Sequence, residues 1–158
     1  MEYLSQCETV CYSRRVRKTM IYLLGIAALA LSGCSTFNRD WKRLANAPRS
    51  TALEGRWDGS WKSDASGHQN RLRCIITKRD ERTYLARFHA NFAKILTFGY
   101  TVPLQVQEKN QHYKFAGEAN LGWYAGGRYT YEGSATGTNF SSTYRSKSDH
   151  GSFQMMRP

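Results

Sequence analysis

Between Leu96 and Val106, the apolar residues Leu96, Phe98, Tyr100, Val102, Leu104 and Val106 occupy every second position. A helix would scatter such a set around its axis, whereas a strand gathers it on one face, so the stretch reads as a half-buried strand. Pro103 falls on the opposite face and removes one ladder donor, which predicts a bulge or bend there. The same period governs Gly55-Arg56-Trp57-Asp58-Gly59-Ser60-Trp61, where two tryptophans alternate with polar side chains. Whatever this chain folds into has to accommodate strands of this kind along most of its length, because helical periodicity is absent from residue 54 onward.

Six further segments complete the pattern. Residues 68–78 place Leu72, Cys74 and Ile76 on one face, and residues 83–90 do the same with Tyr84, Ala86 and Phe88. Residues 111–118 turn Tyr113 and Phe115 inward, and 128–134 turn Tyr129 and Tyr131 inward. Residues 139–146 bring Phe140 and Tyr144, and 151–157 bring Phe153 and Met155. Short strands about ten residues apart, joined in sequence by brief links, predict an all-β fold: an eight-stranded antiparallel up-and-down β-barrel. A flattened half-barrel or a two-sheet sandwich is the alternative architecture. The length of 158 residues, 41% of them apolar, suits one such domain, placed at 54–158.

The segment before it reads as an address. Arg14, Arg15, Arg17 and Lys18 form a basic region followed by an apolar run over residues 20–31, too short to span a bilayer but suited to a signal peptide. The acidic residues and the cysteines ahead of it, Glu2, Glu8, Cys7 and Cys11, suggest translation starting at Val16. The run ends in Leu31-Ser32-Gly33-Cys34, which resembles a bacterial lipobox. That resemblance implies removal of residues 1–33, a diacylglycerol on Cys34, and a lipidated tether over 34–53 that anchors the domain to the membrane. Ser35, in place of Asp, implies the outer membrane, with the domain in the periplasm. Within the tether, Phe37, Trp41 and Leu44 share the spacing of one helical face, predicting a short helix against the end of the barrel.

Processing would leave Cys74 as the one cysteine of the domain, so no internal disulfide is expected and the core must supply the stability. The net charge of +11 stays strongly positive without the leader. It forms no long run, which predicts a dispersed solvated basic surface, suited to anionic lipid head groups or acidic glycans. A secreted lipoprotein is not expected to meet nucleic acid.

Gly55-x-Trp57 at the start of the first strand and Arg157 at the end of the last resemble two parts of the lipocalin signature, within the wider calycin class. In that family the tryptophan crosses the closed end of the barrel with an arginine on its face. The resemblance implies the same arrangement here, because the last strand must pair with the first to close the barrel. At about 105 residues the barrel is also close in size to streptavidin-like barrels, which open with Gly-x-Trp as well.

The links 64–68, 91–92, 120–127 and 148–151 share one end of the barrel in meander order, carrying His68, Trp123, Asp149 and His150. The tight links 79–82 and 108–110 mark the other. His68, His150, Asp64 and Asp149 follow no metal-ligand spacing and read as turn residues. No phosphate loop, Cys-x-x-Cys pair or nucleophile elbow occurs, so neither a cofactor nor an enzymatic activity is expected. Tyr84, Tyr100, Tyr113, Tyr129, Tyr131 and Tyr144 are the candidate ligand-binding set, with Trp123. Buried phenols need partners, and a pocket for a small amphipathic or lipid-like molecule would use them. The competing reading is a structural or protein-interaction envelope lipoprotein with a filled, ligand-free barrel whose hydroxyls bond to one another or reach the rim.

Overall fold

A computed structural model describes residues 36–92 and 96–158; the leader, the lipobox and Cys34 lie outside the described residues. Arg39 to Pro158 forms one compact unit. Its eight strands are β1 (Gly55–Ser63), β2 (Gln69–Lys78), β3 (Thr83–Phe92), β4 (Leu96–Lys109), β5 (His112–Asn120), β6 (Arg128–Ala135), β7 (Asn139–Arg145) and β8 (His150–Met156). Each pairs antiparallel with the next, and β8 returns to β1, with Gly59 opposite Met155 and Trp61 opposite Phe153. The architecture is the closed up-and-down barrel that the alternating faces require.

The inward set is the one that period two selects: Trp57, Leu72, Cys74, Ile76, Ala86, Phe88, Val102, Leu104, Phe115, Phe140 and Met155 are all buried. Glycines replace side chains where neighbouring strands approach too closely for a Cβ. A Cβ on Gly59 would lie 2.0 Å from the Gln154 carbonyl oxygen, and one on Gly133 would lie 2.3 Å from that of Ser141. Neighbouring backbones therefore approach more closely than any side chain allows.

Three details differ from the sequence reading. Pro103 makes no bulge: pairing between β3 and β4 runs in unbroken step from Thr83–Gln105 to Phe92–Leu96. The Val106 amide donates to the Arg82 carbonyl of the β3 side at 2.7 Å, so even-numbered amides of β4 face β3 and the Pro103 nitrogen faces β5. On that side the β4–β5 ladder begins only at Leu104–Gly117 and continues to Lys109–His112. The proline thus ends a ladder instead of kinking one. Second, Asn110 (φ 53°) and Gln111 (φ 62°) form the β4–β5 turn, both left-handed as in a type I′ hairpin, so Gln111 belongs to the turn and not to the strand.

Third, the helix, over residues 36–43, does not cap the end of the barrel. Trp41 lies with the guanidinium of Arg56 5.3 Å and that of Arg73 5.2 Å from its ring centroid, and Asp40 accepts a hydrogen bond from Arg87 at 2.8 Å. Those arginines alternate with the inward residues of β1, β2 and β3, so Trp41 and Asp40 sit on the outer wall. A heptad-like spacing identifies the helix but not the surface that receives it.

The end is closed instead by the residues just before β1. Leu53 is fully buried, and its carbonyl accepts the Trp57 indole N–H at 2.9 Å. Arg157 lies across Trp57 with its guanidinium carbon 3.8 Å from the ring centroid. The same guanidinium donates to the carbonyls of Arg56 (3.0 Å), Gly137 (3.2 Å) and Ala52. Gly55, at φ 103° and with the side chains of Arg49 and Arg157 against it, makes the turn into β1.

Candidate functional site

The two halves of the barrel interior are filled differently. Toward the closed end, Trp57 packs on Phe140 (centroids 5.6 Å apart) and Phe140 stacks on Phe115 (4.7 Å). Toward the other end the interior opens into an aromatic cup of about 480 Å³, within the size range of small-molecule sites.

Tyr100, Tyr129, Tyr131 and Tyr144 line this cup, joined by Trp61 of β1, Phe98 of β4 and Phe153 of β8. Their rings follow one another around the wall. Phe98 and Tyr100 are 5.6 Å apart, Tyr100 and Tyr131 6.3 Å, Tyr131 and Tyr129 6.3 Å, Tyr129 and Tyr144 6.0 Å, and Tyr144 and Phe153 5.1 Å. Phe88 closes the floor, 5.2 Å from Tyr100 and 5.4 Å from Phe153. Leu121 and Ala125, from the link that holds the 3-10 turn Trp123–Ala125, complete the rim.

The other members of the candidate set lie elsewhere. Tyr84 and Tyr113 are buried toward the closed end, where the Tyr113 hydroxyl donates to Glu108 at 3.2 Å. Trp123 is 91% exposed and does not line the cup. Period two puts all these tyrosines on the inner face, but position along the barrel axis depends on strand stagger. Phe98 and Phe153 share the alternating inner faces in the sequence, and Trp61 alternates with polar side chains in β1.

The polar side of the cup is built on Asp149. Ser63, at the end of β1 and 1% exposed, donates to Asp149 Oδ1 at 2.6 Å, and the Tyr144 hydroxyl donates to Oδ2 at 3.1 Å. The turn is held by Ser146, whose Oγ accepts the Asp149 amide (3.0 Å) and donates to the Asp149 carbonyl (3.1 Å). The Ser63 hydroxyl accepts in turn from the Ser66 amide (3.1 Å) and the Ser66 hydroxyl (2.9 Å), and His68 Nδ1 lies 2.9 Å from Ser66 Oγ. A line of hydrogen-bonded groups therefore runs from the exposed His68 to the phenol of Tyr144. His150 and Asp64 contribute backbone only, the Asp64 amide donating to the His150 carbonyl at 2.9 Å.

The phenols stay neutral. Burial pushes the Tyr100 hydroxyl well above its ordinary value, and the neighbouring Tyr131 hydroxyl adds to the effect. Burial raises Tyr131 too, partly opposed by the neighbouring Tyr100 hydroxyl. Tyr144 is raised by burial and then by the neighbouring Asp149 charge. Cys74 lies fully buried beneath the cup, its thiol pushed far up by burial, which makes it an inert core residue. Among the described residues no cluster of His, Cys, Asp and Glu could hold a metal ion.

Fold and cup together define a small up-and-down barrel with one plugged end and one aromatic-lined open end. Comparison with family models, curated proteins and solved structures yields no match to this chain. Among the described residues no helix is long and apolar enough to cross a membrane.

Proposed function

We propose that this chain is a lipid-anchored binding protein of the bacterial cell envelope that holds one small amphipathic molecule in the barrel mouth. The observation that carries the binding half of the reading is the contrast between the two ends. Packing is tight around Trp57 and Phe140, while Tyr100, Tyr129, Tyr131 and Tyr144 surround space. A barrel that served only as a scaffold gains stability by filling such a volume, since an empty cup forfeits apolar contacts. Aromatic walls suit the body of an amphipathic molecule, and the Asp149 side suits its polar end. The anchoring half rests on the resemblance of Leu31-Ser32-Gly33-Cys34 to a lipobox, with Ser35 favouring the outer membrane.

Native mass spectrometry of the protein, gently extracted from its own membranes, tests the binding reading. A reproducible bound molecule is expected, and Ala90→Trp, which puts an indole into the cup, should release it. A ligand-free protein that also takes up no apolar dye would count against the reading.

A further inference from the structure

The hydrogen-bonding state of the cup sorts the ligands it can take. Its donors nearest the carboxylate are already used within the protein. The Tyr144 hydroxyl and the Ser63 hydroxyl both point at Asp149, and the Trp61 indole N–H donates to the Asn91 carbonyl at 3.3 Å. What remains at Asp149 is acceptor capacity. An ionised carboxylate offers about four lone-pair sites, and the two side-chain bonds to Asp149 leave some of them open. Around it stand the electron-rich faces of Tyr129, Tyr131 and Tyr144, which attract cations.

Charge points the same way. The chain carries 23 Lys and Arg against 12 Asp and Glu, yet among the described residues lining the cup the one formally charged side chain is Asp149. A site for a fatty-acid or phosphate head would carry a base in place of Asp149, and on so basic a protein a base would be the easier residue to supply. We propose that the cup selects a cationic head group, an amine or quaternary ammonium on an apolar body, with Asp149 as counter-ion and the tyrosine rings as its cage. This assignment rests on the reading of the cup as a small-molecule site and narrows the class of molecule.

The test uses the full chain held in a nonionic amphipol, titrated calorimetrically with three water-soluble probes of similar size: benzyltrimethylammonium, benzyl alcohol and benzenesulfonate. The neutral dye Nile red reports occupancy of the cup separately. Benzyltrimethylammonium is expected to bind about tenfold more tightly than benzyl alcohol, with benzenesulfonate weakest. Asp149→Asn should abolish the advantage of the cation over benzyl alcohol, with Nile red reporting whether the cup still fills. The net charge of +11 would by itself favour the sulfonate, so the expected order runs against non-specific attraction. Asp149 also ties Ser63 to the β7–β8 turn, and the ranking on the unsubstituted chain therefore decides the matter however the variant folds. Benzyl alcohol or benzenesulfonate equalling the cation, with Nile red still bound, overturns the cationic assignment and leaves the binding role standing. Failure of Nile red and of all three probes to bind overturns both.

Discussion

The guanidinium of Arg157 lies flat against the Trp57 indole, 3.8 Å from its centroid, and from there reaches three backbone carbonyls on two other segments. Burial pulls its pKa down to about 10, which leaves it cationic at neutral pH. Arg157→Ala removes the cation from the ring face and strands the carbonyls, and should cost about 2–3 kcal/mol in urea unfolding. Arg157→Lys keeps the charge but cannot reproduce a planar fork, so it should recover less than half of that loss. Arg71→Ala, which breaks the exposed pair with Asp58, should cost no more than about 1 kcal/mol.

Glu54 gives the barrel an acid-sensitive catch. One carboxylate oxygen accepts from the Ser50 amide (3.0 Å), the Thr51 amide (3.1 Å) and the Ser50 hydroxyl, and the other accepts from the Lys78 amide at 3.0 Å. Burial would raise its pKa, but the Ser50 hydroxyl and the three amides outweigh burial and hold it below the ordinary value of 4.5. A depressed carboxylate pKa contributes stability that is complete above 4.5 and is lost as the pH falls through the lower folded-state value. Chemical denaturation between pH 6 and about 3 should therefore show a shallower acid loss for Glu54→Gln than for the unsubstituted chain. Asp40 and Asp80, also lowered, keep the remainder of the slope.

Two glycines are required for different reasons. A Cβ on Gly59 meets the β8 backbone at 2.0 Å and 2.6 Å, with no flexible side chain to yield. Gly59→Ala should lose more than ~3 kcal/mol, beyond the usual cost of overpacking, or fail to close the barrel. Gly67 has φ +72° with nothing near its missing Cβ, so Gly67→Ala pays only the left-handed backbone penalty, about 1 kcal/mol. Thermal unfolding of the two variants side by side separates packing from backbone strain.

The lipid anchor proposed at Cys34 carries a directional expectation. Gly55 enters β1 at the plugged end, and with the proposed tether joined to the barrel there the cup should face away from the bilayer. On intact membranes, Gly67→Cys at the mouth should be labelled by a water-soluble thiol reagent. Protection there with ready labelling of Lys109→Cys would reverse the orientation. Cys34→Ser should accumulate as unprocessed precursor on an immunoblot, and normal processing of that variant would remove the lipid anchor from the account.

Most of the barrel was legible because a strand with one buried face announces itself locally: Tyr113 and Phe115, or Phe153 and Met155, need only their own neighbours to be read. Properties that depend on how strands are staggered were not. Tyr113 and Tyr131 share the inner face, yet one lies near the plug and the other lines the cup. Asp149 reads as a turn residue, and only barrel closure carries Ser63 of β1 to its carboxylate. Likewise Pro103 is visible as a missing donor, but which neighbour loses the bond depends on the phase of the β3–β4 ladder.

That phase sets how the barrel can deform. From Leu104 toward the plug β4 and β5 are laced together as far as Lys109–His112, and this part of the wall can widen only by breaking ladder bonds. Above it the β4–β5 lacing stops, so the mouth half is a split collar. With no ladder pair between β4 and β5 there, that seam of the cup is held by side chains and not by backbone pairing.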